Sequence, residues 1–358
     1  MQDIIKKVIA VLALLGSTII AQAQEEQAFV IKGQLGKHPQ PAKVYIRYGS
    51  NDKAYFDSCT LKEGAFEYRG KAVFPAKVSL LLSRNGQKAT WPYDELFFFI
   101  DSSVVQLTSK DSAATAEVKG TELNREYAQY ARILDEKLKT TPPKDTMAFT
   151  DLPFWKALEA FVAGYPASPV ALSELQSMSG GAETELEIQA VKDLYARLDP
   201  SLKTSAAGQK LIAGLEQKIR LLPGMTAPDF SQPDSTGVLT SLSAYKGKVV
   251  LLHFWASWCK PCRAENKHLR EIYAAWRDKG FEVVSVSVDQ DRGKWIKAIR
   301  DDKLEWKELS DLKPRNAAAE LYKISAYPST FLLDTDGKIL IKDPAHDTLK
   351  MLLAKMLG

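Results

Sequence analysis

The chain has 358 residues, of which 26% are charged and 45% hydrophobic, an ordinary globular composition. At roughly 150 residues per domain, this length predicts two domains with an added helical segment. The formal net charge of +4, without a dense Lys/Arg patch interleaved with aromatics, argues against a nucleic-acid partner.

The N-terminus reads as a secretory signal over residues 1–23. Lys6 and Lys7 form a short basic region, Val8 to Ile20 is mostly apolar, and Ala21-Gln22-Ala23 fits a small-x-small cleavage site. Cleavage after Ala23 would make Gln24 the first mature residue and the protein exported, to a periplasm. The alternative is an uncleaved anchor, but the apolar run is short of the ~20 residues a span requires, and Gly16, Ser17 and Thr18 interrupt it.

Residues 24–120 predict a β-rich domain. The β-prone runs are Val44–Tyr48, Ala65–Tyr68, Val78–Leu82 and Val104–Leu107, with turn signals at Gly33, Gly36, Asn51-Asp52, Glu63-Gly64 and Asn85-Gly86. Short strands with this punctuation predict an antiparallel sandwich or barrel. Cys59 falls in this part as an inert thiol or, alternatively, one that forms a regulatory or intermolecular disulfide. From residue 121 to 222 the pattern turns helical. Leu123, Tyr127, Tyr130 and Leu134 recur at helical spacing, as do Ile188, Val191, Leu194 and Leu198. Prolines at 142, 143, 166 and 169 divide that region.

From residue 223 to 358 strands and helices alternate, predicting an α/β domain. An apolar strand, Val249–Trp255, leads into Trp258-Cys259-Lys260-Pro261-Cys262, and an amphipathic helical pattern follows to about Lys279. Two cysteines two residues apart at a strand-to-helix junction suit reversible dithiol–disulfide exchange. Unpaired N–H groups and the macrodipole at a helix N-terminus favour a thiolate. Cys259 is then the attacking, exposed thiol, with Lys260 adding positive charge, and Cys262 the resolving thiol. A structural disulfide or half of a zinc site is the alternative, but there is no second C-x2-C and no histidine pair at ligand spacing. Only three cysteines are present, which gives one working pair and a leftover rather than a disulfide framework.

The segments GMTAPDF (224–230), SLSAYKGKVVLLHFWASWCKPCRAE (241–265), GFEVVSVSVDQDRGKWIKAI (280–299) and YKISAYPSTFLLDTDGKIL (322–340) together resemble the TlpA/ResA-like exported thioredoxins. DSCTLKEGAFEYRG (57–70) resembles, more loosely, a domain of unknown function that precedes such thioredoxin domains. The resemblance implies a thioredoxin-like α/β fold for the C-terminal domain and a cis Tyr327–Pro328 bond facing the cysteine pair. It implies substrate contacts at Trp258, Tyr327 and Pro328, and an acid at Glu265 that accepts a proton from Cys262. For Tyr327 edge packing is the alternative role, and for Glu265 a solvated surface carboxylate. His253 stands where thioredoxin carries a buried acid, so that proton relay does not transfer directly. A hydrogen-bonded core histidine and a proton shuttle are both open for it. His268 and His346 read as surface residues.

The resulting expectation is an exported thiol–disulfide oxidoreductase acting on protein disulfides as a reductase and re-reduced by a membrane-bound thiol reductant. No organic or metal cofactor is required. The N-terminal region positions substrate or mediates self-association. An oxidising or peroxidase-type enzyme is the rival chemistry, although no Pro-x-x-Ser/Thr-x-x-Cys pattern precedes the site. A binding protein using the thioredoxin domain as a scaffold is the rival from outside enzymology.

Overall fold

A computed structural model describes residues 25–50, 53–84, 93–101, 104–141 and 147–358. The expected signal segment and the turns expected at Asn51-Asp52, Asn85-Gly86 and Pro142-Pro143 lie outside the described residues. No described helix is long and apolar enough to cross a membrane. The chain divides into two compact units, residues 1–180 with 193–210 and residues 181–192 with 211–358.

The first unit opens on eight strands: β1 Gln27–Gln34, β2 Lys43–Ser50, β3 Lys53–Thr60, β4 Ala65–Ala72, β5 Ala76–Ser83, β6 Glu95–Ile100, β7 Val104–Thr108 and β8 Glu117–Lys119. They form two four-stranded sheets, ordered β4-β1-β7-β8 and β3-β2-β5-β6. Inward residues alternate along β1, β2 and β7, as period-2 geometry requires. Phe29 and Ile31 of β1, Val44 and Ile46 of β2, and Val78 and Leu80 of β5 meet in one core. One pairing departs from the antiparallel expectation: β1 and β7 run parallel.

Helices follow the strands: α1 Glu122–Thr140, α2 Pro153–Gly164, α3 Pro169–Ser179, α4 Glu185–Ala196, α5 Pro200–Thr204 and α6 Ala206–Ile219. Thr121 caps α1 by accepting from Asn124 N. Asn124 itself, buried, closes two hydrogen bonds with Phe99 on edge strand β6: Phe99 N donates to its Oδ1 at 2.8 Å, and its Nδ2 donates to Phe99 O at 2.7 Å. The exposed backbone of that sheet edge is thereby paired to a side chain.

In the second unit, β9 Ser231–Pro233 and β10 Leu239–Ser241 make a small hairpin. Then come β11 Val249–Trp255, α7 Lys260–Trp276, β12 Phe281–Ser287, α8 Arg292–Asp302, β13 Lys307–Leu309, α9 Ala317–Leu321, β14 Ser329–Leu333, β15 Ile339–Lys342 and α10 His346–Leu357. The five-stranded sheet runs β13-β12-β11-β14-β15, parallel across β13, β12 and β11 and antiparallel beyond. Every residue of β11 is buried, the mark of a central strand covered on both faces. Val250, Leu252 and Phe254 pack on one side with Tyr322, Ala318 and Phe331. Val249 and Leu251 pack on the other with Leu269 and Ile272 of α7 and Leu349 and Leu353 of α10. Gly280 ends the α7 region in the left-handed conformation at φ 99°, which only glycine adopts freely, and turns the chain into β12.

Candidate redox site

The chain leaves the carboxyl end of β11 and enters α7 within five residues. Cys259 is the N-cap of α7 and Cys262 lies in its first turn. They are joined by a disulfide, and Cys259 Sγ also accepts from Cys262 N at 3.2 Å. Pro261 sits in the same turn, where a missing N–H leaves no intrahelical bond unmade. Cys259 is the more accessible sulfur, but it is only 6% exposed, and Cys262 is fully buried. Cys259 is thus the more exposed member of the pair, although Ala256, Trp255 and the α8 residues Trp295 and Ala298 share a buried cluster with both cysteines.

Two polar clamps hold this junction. Asp289, just after β12, accepts from Ser257 N at 2.8 Å, Ser257 Oγ at 2.6 Å and Ser287 Oγ at 2.7 Å. Arg263 on α7 donates from Nε and Nη2 to Asp302 at the end of α8, at 2.5 and 2.7 Å, and Asn266 Nδ2 adds a third bond to the same carboxylate at 2.8 Å. Neither clamp is legible in the sequence, because the first joins the ends of two neighbouring strands and the second joins two helices that only the fold brings together.

The Tyr327–Pro328 bond is cis. Tyr327 meets the exposed Trp258 edge to face, with ring centroids 6.1 Å apart. Beside them lies a groove of ≈ 430 Å³, lined among others by Trp258, Asp289, Lys294, Arg315 and Tyr327. Immediately after Pro328, Ser329 Oγ and Thr330 N both donate to Asp343, fixing the start of β14.

Glu265 is partly buried and accepts from, or pairs with, His346 Nε2 at 2.8 Å. The His346 ring in turn lies 4.6 Å from the ring of His268. Both histidines lie at the surface, as read from the sequence, but they have partners there, because the first turn of α10 comes against the face of α7 that carries Glu265 and His268. His253 is fully buried, with Nδ1 3.3 Å from Ser285 Oγ, and burial drives its pKa down to about 3. It is a neutral core imidazole at neutral pH. Cys59, on edge strand β3, is half-buried. Its thiol donates to Glu67 O at 3.4 Å and is pushed up by burial, which leaves it a weak nucleophile. Among the described residues no group of three or more His, Cys, Asp or Glu is arranged to hold a metal.

A mixed five-stranded sheet, with a Cys-x-x-Cys pair at the start of the helix after its central strand and a cis-proline loop, defines a thioredoxin-fold redox domain. Residues 223–341 match the AhpC/TSA family, and residues 29–127 match a domain of unknown function, DUF4369. Among curated proteins, the thiol-disulfide oxidoreductase ResA of Geobacillus kaustophilus is 33% identical over 123 residues, 34% of this chain and 70% of its own. The thioredoxin-like protein YneN of Bacillus subtilis is 37% identical over 127 residues, 35% of this chain and 72% of its own. A solved thiol-disulfide oxidoreductase from Bacteroides fragilis, 34% identical, aligns over 37% of this chain and 99% of its own with a TM-score of 0.35. The chain belongs to the ResA-like thiol-disulfide oxidoreductase family.

Proposed function

We propose that the protein is an exported reductase of protein disulfides. In the reduced enzyme the Cys259 thiolate attacks one sulfur of a substrate disulfide and expels the other as a thiolate. Cys262, deprotonated as it attacks, breaks the mixed disulfide and leaves Cys259–Cys262 oxidised and both substrate sulfurs reduced. Glu265 takes the Cys262 proton, while Trp258, Tyr327 and Pro328 flank the substrate segment. A membrane-bound thiol reductant outside the cytoplasm then restores the dithiol. The basic and apolar segment ahead of Ala23 supports export.

The observation that carries this reading is the asymmetry of the pair. One cysteine is the N-cap of α7, where helix N–H groups stabilise a thiolate, and it keeps 6% exposure next to the exposed Trp258. The other is sealed one turn inside. Cys259→Ser is expected to abolish insulin-disulfide reduction, and activity retained in that variant would sink the mechanism. Direction is read from the potential of the pair in dithiothreitol or glutathione buffers. A value near ~−270 mV fits a reductase, and one near ~−120 mV would reverse the direction.

A further inference from the structure

Behind the cysteine pair, on the α7–α8 face of the sheet, lies a buried polar group that the exchange chemistry above does not use. Register places His253 on β11 opposite Ser285 on β12, and Ser285 opposite Glu308 on β13, so the three share one face. Glu308 is 2% exposed. Its Oε2 accepts from Trp255 Nε1 at 2.9 Å, while Trp306 Nε1 donates to Ser285 Oγ at 2.7 Å. Glu308 Oε1, Trp295 Nε1 and His253 Nε2 have no hydrogen-bond partner among the described residues. Trp255 and Trp295 belong to the same buried cluster as Cys259 and Cys262. A buried carboxyl group is thus linked to the redox pair through an indole that bonds the acid and shares one buried cluster with the two cysteines.

Among the described residues no cation pairs with this carboxyl. Of the titratable and charged groups near this face, His253 lies on β11, Cys262 and Arg263 at the start of α7, Asp302 at the end of α8, and Lys307 beside Glu308 on β13. Arg263 and Asp302 bind each other, and Lys307 binds Asp234 at 2.8 Å from the opposite face of the sheet. His253 is neutral. Burial pushes the Glu308 carboxyl up to about 8, with the surrounding Trp255, Ser285, Trp295 and Trp306 offsetting part of that effect. A second negative charge in the same low-dielectric cluster raises the cost of ionising it further.

We propose that Glu308 is a redox-coupled positioning residue, which binds a proton when the Cys259–Cys262 disulfide is reduced and releases it when the disulfide re-forms. Reduction by dithiothreitol moves two electrons to the sulfurs and oxidises the reagent to its cyclic disulfide. Of the two protons released, one stays on Cys262 as Cys259 becomes a thiolate. The other goes to solvent where Glu308 is already neutral and onto Glu308 where it was ionised. By reciprocity, an ionised Glu308 holds back the Cys259 thiolate by as much as the thiolate holds back Glu308. The coupling rests on Cys259–Cys262 being the redox pair, but its test needs no turnover.

The test is the rate of iodoacetamide alkylation of the dithiothreitol-reduced full chain between about pH 5 and 10. Wild type is expected to follow a broadened, two-step profile. Glu308→Gln, which keeps an acceptor for Trp255, is expected to follow a single step with its midpoint lower by about half to one pH unit. Superimposable profiles in a folded Glu308→Gln protein would overturn the proposal. Should that variant not fold, the reduced-minus-oxidised infrared difference spectrum of wild type at about pH 8.5 decides. A protonated-carboxyl band gained on reduction, and kept in Glu265→Gln, supports the coupling, and its absence refutes it. Cys259→Ser decides the catalytic role separately, by turnover, so the two readings fail independently.

Discussion

Among single residues, the cysteine pair was legible because its chemistry is local: two thiols, their spacing and the apolar strand before them all lie within a dozen positions. Glu308 was not legible. Its significance comes from lying two strands away from His253 in register, and nothing in Trp306-Lys307-Glu308-Leu309 marks it as buried. His253 stands where thioredoxin carries a buried acid, and the structure makes it a neutral imidazole bonded to Ser285. Its stability effect has a definite sign. The folded-state value, about 3, lies below the ordinary 6.5, so the unfolded chain binds the extra proton and stability falls as pH drops from about 6.5 towards 3. His253→Leu is expected to shrink the loss of unfolding free energy between pH 7 and pH 4 by about 3 kcal/mol, read from urea transitions at both pH values.

At the scale of elements, the entry to α7 is fixed at both ends of its first turns. The Asp289 clamp holds the loop before Cys259, and Asp302 gathers Arg263 and Asn266 from successive turns of the helix. Asp302 is nearly buried, so its removal strands two donors. Asp302→Ala is expected to cost about 2 kcal/mol, measured by denaturant unfolding. The strands and helices of this domain were readable from periodicity, and the apolar run around His253 marked β11 as a buried strand. The parallel β1–β7 pairing was not, because strand direction in a sandwich is set by the long connection and not by the composition of either strand. The contact of His346 with Glu265 was likewise invisible: 81 positions separate them, and only the docking of α10 against α7 joins them.

For the whole molecule, the thioredoxin-fold segment is about a third of the length, and the sheets and helices before it carry no assigned chemistry. If residues 24–222 recruit substrate, deleting them is expected to leave reduction of a small aromatic disulfide near the full-length rate and to slow reduction of a folded protein substrate about tenfold or more. Equal loss on both substrates would count against recruitment. The bounds of that deletion follow the start of the matched redox domain at residue 223.

The tryptophans around the cysteine pair have an optical consequence. Trp255 and Trp295 are packed in one cluster with the disulfide, and Trp258 precedes Cys259 with most of its ring in solvent. A disulfide quenches excited indoles by accepting an electron, which a dithiol does far less readily. Emission from this domain therefore brightens as the bond opens. The exposed and buried indoles contribute at different wavelengths, so one spectrum separates events at the rim from events in the core and gives a label-free gauge of the fraction reduced.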